Sequence, residues 1–351
     1  MEKVIFISVL GIYLISIVYF GIKNLHKERW QFFAVIPVRK VSDNQWIGMN
    51  ITYYGIINGL AYITGVYIFI FLTSGFDIPY NYIILSIILI LSICMPASKI
   101  VARIVEGKRN TFTVGGASFV GSIISPVVFL IIFNHYYHDI EKTMKMLMPI
   151  ISVLSISYNL GEGVGRLACL SFGCCYGKPV KELNGWFRRF FEIINVVFTG
   201  KTKKVSYASS LDGEPLVPVQ GMAVILYVTT AFIGIILFLY GYYITSFLIT
   251  VMIGQFFRLF SEFFRADYRG ESKFSVYQWM SMITIFYSLI IAFILRKVVF
   301  VDHDIARALK VSLGSNVFIL IIVIFFLVLV YTGLSKVTGS KITFYVKEEE
   351  I

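Results

Sequence analysis

The stretch that decides the fold runs from Met146 to Pro179 and reads MLMPIISVLSISYNLGEGVGRLACLSFGCCYGKP. It starts as an apolar segment and closes with five glycines, three of the chain's four cysteines and the charged pair Glu162 and Arg166. A helix that only spans lipid has no need of these residues, because charged side chains at membrane depth are costly and usually mark a site. Glycine also permits bends and close backbone approaches that other residues forbid. The stretch therefore predicts a transmembrane helix that ends in a polar, irregular active-site rim.

The composition around this stretch is that of a membrane protein. The chain is 58% hydrophobic and 15% charged, whereas soluble domains are about 45–50% apolar. Apolar runs approaching 20 residues recur, each long enough to cross a hydrocarbon core of about 30 Å, and the alternating ten-residue segments of a β-barrel do not occur. The expected fold is an all-α polytopic bundle, whose nine spans we place at residues 3–22, 51–74, 82–104, 115–134, 146–165, 218–240, 245–265, 277–297 and 314–335. The first is read as an uncleaved span.

The positive charge of the chain lies in the connections between these spans. The net charge is +11, and charge in such loops favours anionic lipid headgroups as the partner. No RNA- or DNA-binding motif is found, so nucleic acid is not expected. The two long connections, 23–50 and 178–217, mix basic and aromatic residues. We interpret both as amphipathic segments at the membrane interface, and ordinary anchoring loops remain the alternative.

Arginines at the ends of two spans are the first candidates for chemistry. Arg166 and Arg258 fall on the same side of the membrane, and Glu262 and Arg265 follow Arg258 at i+4 and i+7, so those three share one helical face. Converging guanidinium groups with one carboxylate suit the phosphate of a phospholipid, because the planar fork of arginine donates two parallel hydrogen bonds. The alternative is a snorkelling interfacial set in which Arg258 and Glu262 form a helical ion pair.

Glycines and cysteines on the same side are weaker candidates. Gly115 and Gly116 open the fourth span, where their N–H groups could reach an anion or the pair could serve close helix packing. Cys169, Cys174 and Cys175 could supply a nucleophile, but no histidine is close in sequence on that side. We expect them to be small packing residues. No C-x-x-C spacing occurs, so a structural zinc site is not expected. No metal and no cofactor are predicted.

A series of motifs along residues 50–298 resembles one known family. Gly165 and Arg166 followed by Gly173, Tyr176 and Gly177 resemble the signature of the prolipoprotein diacylglyceryl transferases. The other motifs, in the order in which that family has them, are Tyr54-Gly55, the Gly-Gly segment from Phe112 to Gly121, Pro218-Val219-Gln220, the run from Arg258 to Asp267 and Gln278-Trp279. The resemblance implies a membrane core over 50–298 with a head segment at 178–217, an additional span and interfacial arm at 1–49, and an additional span and tail at 299–351.

The family moves a diacylglyceryl group from phosphatidylglycerol to a lipoprotein cysteine in the bacterial cell membrane, forming a thioether and releasing glycerol phosphate. The resemblance implies the same substrates here: an anionic phospholipid and a protein or peptide thiol. It further implies that Arg166 and Arg258 hold the lipid phosphate and stabilise the departing charge, and that Glu262 orients Arg258. The implied substrate-binding residues are Tyr54, Gly115, Gly116, Gly165, Cys169, Gly173, Cys174, Tyr176, Gly177, Gln220 and Arg265.

The chain departs from the family pattern at several polar positions. The family has Asn at the positions of Cys169 and Phe172, an acidic residue at Cys174, His at Val114 and Val217, and Tyr and Glu at Met222 and Ala223. The arginines are retained while much of the polar network and the usual base are replaced. Two interpretations follow: a transferase, whose acceptor is a lipoprotein cysteine or another molecule, or a paralogue that binds anionic phospholipid and acts as a lipid-binding or assembly protein.

The orientation in the membrane is also open. Of the 31 Lys and Arg residues, 24 lie in the set of loops that holds the glycine–cysteine rim and 7 in the other set. The positive-inside rule places the richer set in the cytoplasm. The family resemblance places the signature outside the membrane, which is the opposite orientation.

Overall fold

The computed structural model describes residues 1–107, 113–266, 274–296 and 301–351. Within them the predicted helical bundle is confirmed, because nine of the described helices are long and apolar enough to cross a membrane. The chain is therefore a multi-pass membrane protein. The described α-helices are α1 Glu2–Asn24, α2 Tyr53–Ser74, α3 Tyr80–Glu106, α4 Val114–Tyr137, α5 Ile140–Phe172, α6 Gly185–Ile193, α7 Lys204–Ser209, α8 Val219–Leu239, α9 Tyr243–Ser261, α10 Val276–Ile294, α11 Ile305–Ser312 and α12 Ser315–Gly333. The short helices α6, α7 and α11 lie between the spans.

The central helix α5 is longer than the sequence predicted. The expected span was 146–165, whereas the helix has 33 residues and is roughly 50 Å long at 1.5 Å per residue. It begins at the N-cap Asp139, whose carboxylate accepts hydrogen bonds from two backbone N–H groups. The glycines before Gly173 are helical and do not bend the chain. Gly161 lets α5 come close to α2: a Cβ on Gly161 would lie 3.3 Å from the Ala61 carbonyl oxygen. Arg166 consequently lies on the helix, and the irregular rim begins only at Gly173.

The connection 23–50 is not the amphipathic segment that the sequence suggested. Strands β1 (Phe32–Lys40) and β2 (Gln45–Thr52) form an antiparallel hairpin, and the last long strand of the chain, residues 334–343, pairs with β2 to complete a three-stranded sheet. A two-stranded hairpin is only marginally stable in water by itself. The sequence did not predict the sheet because its third strand comes from residues 334–343, far away in the chain.

The last span is joined closely to the core. A Cβ on Gly55 of α2 would lie 2.1 Å from the Gly333 Cα, and the Thr52 hydroxyl donates to the Gly333 carbonyl at 3.0 Å. The same Thr52 oxygen caps α2 by accepting from the Gly55 N–H. The predicted boundary at residue 50 falls inside β2, and the division of the chain at residues 50 and 299 stays a prediction.

The head segment 178–217 packs on the rim of the bundle. The amphipathic helix α6 exposes Trp186 and Ile193 while it buries Phe191. Two short strands, β3 (Val196–Val197) and β4 (Pro215–Leu216), pair behind it, so that the long strand 334–343 is β5. The buried ammonium of Lys203 donates to the carbonyl oxygens of Ser171 and Leu25 at 2.6 and 3.3 Å, which ties the head to the ends of α5 and α1.

Candidate active site

One stripe of α5 carries most of the polar groups. Tyr158, Glu162, Arg166 and Cys169 follow one another at intervals of four, four and three residues, so their side chains lie on a single helical face. This face is directed toward α8 and α9, because Tyr158 and Glu162 both contact Arg258 of α9.

Glu162 joins the two arginines that the sequence singled out. Its Oε1 accepts from Arg166 Nη2 at 2.5 Å and its Oε2 accepts from Arg258 Nη2 at 2.6 Å. The residue is 6% exposed, and ion pairs with this little solvent interact strongly. Tyr158 donates to the same carboxylate and accepts from Arg258 Nη2 at 2.8 Å. Two guanidinium groups separated by 92 positions in the chain are thus held side by side.

The carboxylate beside Arg258 to which the sequence gave no role is Glu162, which accepts from Arg258 Nη2 at 2.6 Å. Glu262 accepts a hydrogen bond from the Ser275 hydroxyl at 3.3 Å, and its role in orienting Arg258 stays a prediction. The predicted shared helical face is also interrupted, because α9 ends at Ser261 and a 3₁₀ turn follows over Glu262–Phe264. Arg265 lies beyond this turn. Phe112 and Asp267, which belong to the predicted motifs, lie outside the described residues.

Both arginines face a small cavity with donors to spare. The cavity is partly open, and its non-atom space, open solvent included, is about 290 Å³. Among the described residues, the buried Nε atoms of Arg166 and Arg258 have no hydrogen-bond partner, and a buried donor without a partner is costly. An anion in the cavity would satisfy them. The lining consists of Arg166, Cys175, Val219, Gln220, Ala223, Tyr227, Phe257, Arg258, Ser261 and Arg265.

A second, larger cavity adjoins the first. Its non-atom space, open solvent included, is about 740 Å³ between α3, α4, α5, α8, α9 and α10, and its lining is mainly apolar with several small hydroxyl side chains. Tyr227 and Arg258 line both cavities. The two cavities place a cationic space next to an apolar one. This matches the polarity of a phospholipid headgroup and the first part of its chains.

The predicted glycines play different parts. A Cβ on Gly115 would lie 3.1 Å from Arg258 Nη1, so this glycine lets α4 approach the guanidinium group. Gly116 instead packs against the Val101 side chain, where a Cβ would come within 2.5 Å. Gly165 lies opposite Ala61 at ordinary contact distance. Gly115 is therefore at the site, whereas Gly116 and Gly165 serve the packing of α4 on α3 and of α5 on α2.

The residues after α5 hold the mouth of the small cavity. Gly177 pairs with Arg265 as an isolated antiparallel β-bridge, and a Cβ on Gly177 would lie 2.3 Å from the Val217 carbonyl oxygen. Tyr176 is buried and its hydroxyl bonds to Ser209 in the head segment. These contacts place Arg265, which is 9% exposed, at the cavity wall.

Gln220 connects the cavity to the rim. It opens α8 and is 1% exposed. Its Nε2 donates to the Cys174 carbonyl oxygen at 2.8 Å. Its Oε1 has no hydrogen-bond partner among the described residues, so this oxygen is free to accept from a ligand.

The three cysteines of the rim meet. Gly173 ends α5 in the left-handed conformation at φ 72°, and its N–H bonds to the Cys169 carbonyl at 2.9 Å, a turn that glycine favours. Cys175 also has a positive φ, 56°. The reversal brings the sulfur atoms of Cys169, Cys174 and Cys175 within 4.8 Å of one another. Hydrogen bonds from the other two thiols, together with nearby Arg265 and Arg166, hold the pKa of the Cys175 thiol well below its usual value.

Tyr54 of α2 also lies close to this cluster. It is in the first turn of α2, its ring packs 5.4 Å from that of Phe172, and its hydroxyl bonds to the Asn58 side chain. It is near all three cysteines. The predicted site residues Tyr54, Arg166, Cys169, Cys174, Gln220, Arg258 and Arg265 are thus brought to one region of the bundle.

Sequence reasoning missed Tyr158 and Tyr227 at this site, and it singled out Glu162 as a charged residue at membrane depth without giving it a role. Tyr158 and Tyr227 contact the arginine pair or line its cavity, and Glu162 bridges the pair. The spacing of Tyr158, Glu162 and Arg166 at i, i+4 and i+8 was an available signal for Tyr158 and for Glu162. Tyr227 lies in a uniformly apolar helix, and its sequence context carries no comparable signal.

Comparison with known proteins gives two matches. The model of the family described as prolipoprotein diacylglyceryl transferase matches residues 45–294. A curated protein of Dehalococcoides mccartyi, named phosphatidylglycerol–prolipoprotein diacylglyceryl transferase, is 28% identical over 136 residues, which are 36% of this chain and 50% of that protein. The chain thus spans about half the length of the curated relative that it matches.

Proposed function

Since the chain belongs to the prolipoprotein diacylglyceryl transferase family, we propose that it transfers a diacylglyceryl group from phosphatidylglycerol to the cysteine thiol of a prolipoprotein. Glycerol phosphate is the leaving group, and the reaction takes place in the bacterial cell membrane. The observation that carries the proposal is the cavity lined by Arg166 and Arg258, which Glu162 orients and whose Nε donors have no hydrogen-bond partner in the described part of the chain. An arginine pair of this kind matches the geometry of a phosphate diester.

The arginines act on the leaving group. When the carbon–oxygen bond to the phosphate breaks, negative charge grows on the departing phosphate, and guanidinium donors already in place stabilise that charge without reorganisation. Arg265 adds a third positive charge at the cavity wall, and Gln220 offers a free carbonyl oxygen to a hydroxyl of the headgroup. The larger apolar cavity beside Arg258 supplies room for the first part of the lipid chains.

The test is an assay in proteoliposomes that contain phosphatidylglycerol and a peptide with a lipoprotein-type cysteine. We expect release of glycerol phosphate together with a peptide that has gained one diacylglyceryl group. Arg166→Ala abolishes both products, because the leaving group loses a donor. Arg188→Ala is the matched control: this arginine lies on α6 with about half of its side chain exposed and pairs with Glu192 at 2.9 Å.

The second candidate function is lipid binding without transfer. It is favoured by Val217, which is fully buried among apolar neighbours where the family has a histidine, so this position supplies no base. Phosphatidylglycerol that copurifies with the protein, is lost in Arg166→Ala and yields no glycerol phosphate with any thiol acceptor would establish this function and reject transfer.

A further inference from the structure

The three-cysteine cluster has the form of a metal site. Its sulfur atoms lie within 4.8 Å of one another. A tetrahedral zinc ion with sulfur ligands at about 2.3 Å separates those ligands by roughly 3.8 Å, so small side-chain rotations bring the three atoms to ligand distance. The sequence lacks C-x-x-C spacing, and the left-handed conformations of Gly173 and Cys175 fold Cys174 and Cys175 back over Cys169.

We propose that Cys169, Cys174 and Cys175 bind one zinc ion and leave its fourth position open toward the arginine cavity. Structural zinc sites are closed by four protein ligands, whereas catalytic sites have three and keep one position for water or substrate. Cys174 is buried, but Cys169 and Cys175 are partly exposed, and Cys175 lines the same cavity as Arg166 and Arg258. The open position is therefore next to the place where the lipid phosphate is held.

The surroundings fit such an ion. Three thiolates and one Zn²⁺ carry a net charge of −1, and the guanidinium groups of Arg166 and Arg265 lie near the Cys175 sulfur to balance it. The loop that carries two of the ligands is held from outside by Gln220, which donates to the Cys174 carbonyl. Outer contacts of this kind orient the ligands of a metal.

The ion would activate the acceptor, an inference that rests on the proposed function. A thiol that coordinates zinc gives up its proton, here to solvent, and becomes the fourth ligand as a thiolate. The thiolate sulfur attacks the terminal carbon of the diacylglyceryl group. The new carbon–sulfur bond forms as the carbon–oxygen bond to phosphate breaks, and glycerol phosphate leaves on the arginines. No electron is gained or lost by the metal, and no histidine base is needed.

Metal binding is measured without reference to activity. The full chain is purified in detergent with a thiol reductant, freed of metal with a chelator, and titrated with Co²⁺ and then Zn²⁺. We expect a thiolate-to-cobalt charge-transfer band that saturates at one Co²⁺ per chain and disappears on addition of one Zn²⁺. Cys169→Ser, Cys174→Ser and Cys175→Ser each weaken the cobalt complex at least 10-fold. Cys94→Ser, which changes the one other cysteine of the chain, leaves it unchanged.

The outcomes separate the metal site from its role. Absence of the band in the wild type, an equal loss in Cys94→Ser, or a disulfide among the three cysteines in the purified protein overturns the site. If the protein binds the metal but keeps full transfer activity after a chelator has removed it, the role in activating the acceptor is overturned. Transfer that falls at least 10-fold on chelation and returns with Zn²⁺ supports it. If the zinc complex forms and no acceptor is ever modified, the proposed function fails while the metal site stands.

Discussion

The substitution Glu162→Gln tests the arrangement on which the site depends. The carboxylate accepts from Arg166 at 2.5 Å and from Arg258 at 2.6 Å, and it is nearly inaccessible to solvent. Glutamine has almost the same shape but one oxygen and one NH₂ group, so it can accept from one arginine while it presents a donor to the other. The substitution also leaves two buried positive charges without their partner.

The size of the effect follows from these contacts. Removing one partner of a buried ion pair costs about 3–5 kcal/mol, which is a large part of the total stability of a typical domain. Loss of the bridge also lets the guanidinium groups separate, and a misplacement of about 1 Å costs on the order of 100-fold in rate. We therefore expect Glu162→Gln to lower the thermal unfolding midpoint clearly and to reduce glycerol phosphate release by at least about 100-fold.

The assay is release of glycerol phosphate in proteoliposomes, with the thermal midpoint measured on the same preparations. Glu192→Gln is the matched comparison, because this carboxylate also pairs with an arginine at i−4, Arg188 at 2.9 Å, but about half of its side chain is exposed. We expect its effect on release to be less than a tenth of that of Glu162→Gln. Our reasoning is refuted if Glu162→Gln keeps its midpoint and stays within threefold of the wild-type rate, or if Glu192→Gln is the more damaging change.

Three further predictions concern the rim and the head segment. Gly177→Ala brings a Cβ to 2.3 Å from a backbone oxygen and should cost about 1–3 kcal/mol through overpacking; thermal unfolding in detergent measures this, and Gly221→Ala, with a nearest contact of 3.9 Å, should be neutral. Burial lowers the pKa of Lys203 to about 8, so between that pH and 10.5 the unfolded state binds more protons than the folded state. The unfolding midpoint of the wild type should therefore rise with pH in this window relative to that of Lys203→Met. Parallel midpoint-against-pH curves for the two proteins would contradict the burial. Ser210 and Glu141 are exposed and lie on opposite sides of the bundle. In intact cells an impermeant maleimide should label Ser210→Cys but not Glu141→Cys, with the unsubstituted protein as background. The reverse result would put the site in the cytoplasm, as the charge bias does.

The sequence was sufficient for the parts of this protein that depend on composition and local spacing. Nine apolar runs of membrane length predict the nine spanning helices found in the described residues, because a backbone in lipid must satisfy its hydrogen bonds within each segment. The arginines at 166 and 258 were also visible, since charged residues at the end of an apolar span stand out from their surroundings. The same reasoning failed at residues 32–52, where a strand pairs with a segment nearly 300 residues away.

Only the tertiary structure decided which groups meet. The sequence placed Glu262 near Arg258 through its i+4 spacing, whereas the contact of Glu162 with both arginines depends on how α5 packs against α9. The three thiols had no recognisable spacing, and a turn with left-handed residues at Gly173 and Cys175 brought them together. Local sequence reports which side chains a helix carries, whereas contacts between helices depend on packing over the whole bundle, and it is these contacts that set the charge and the geometry of the site.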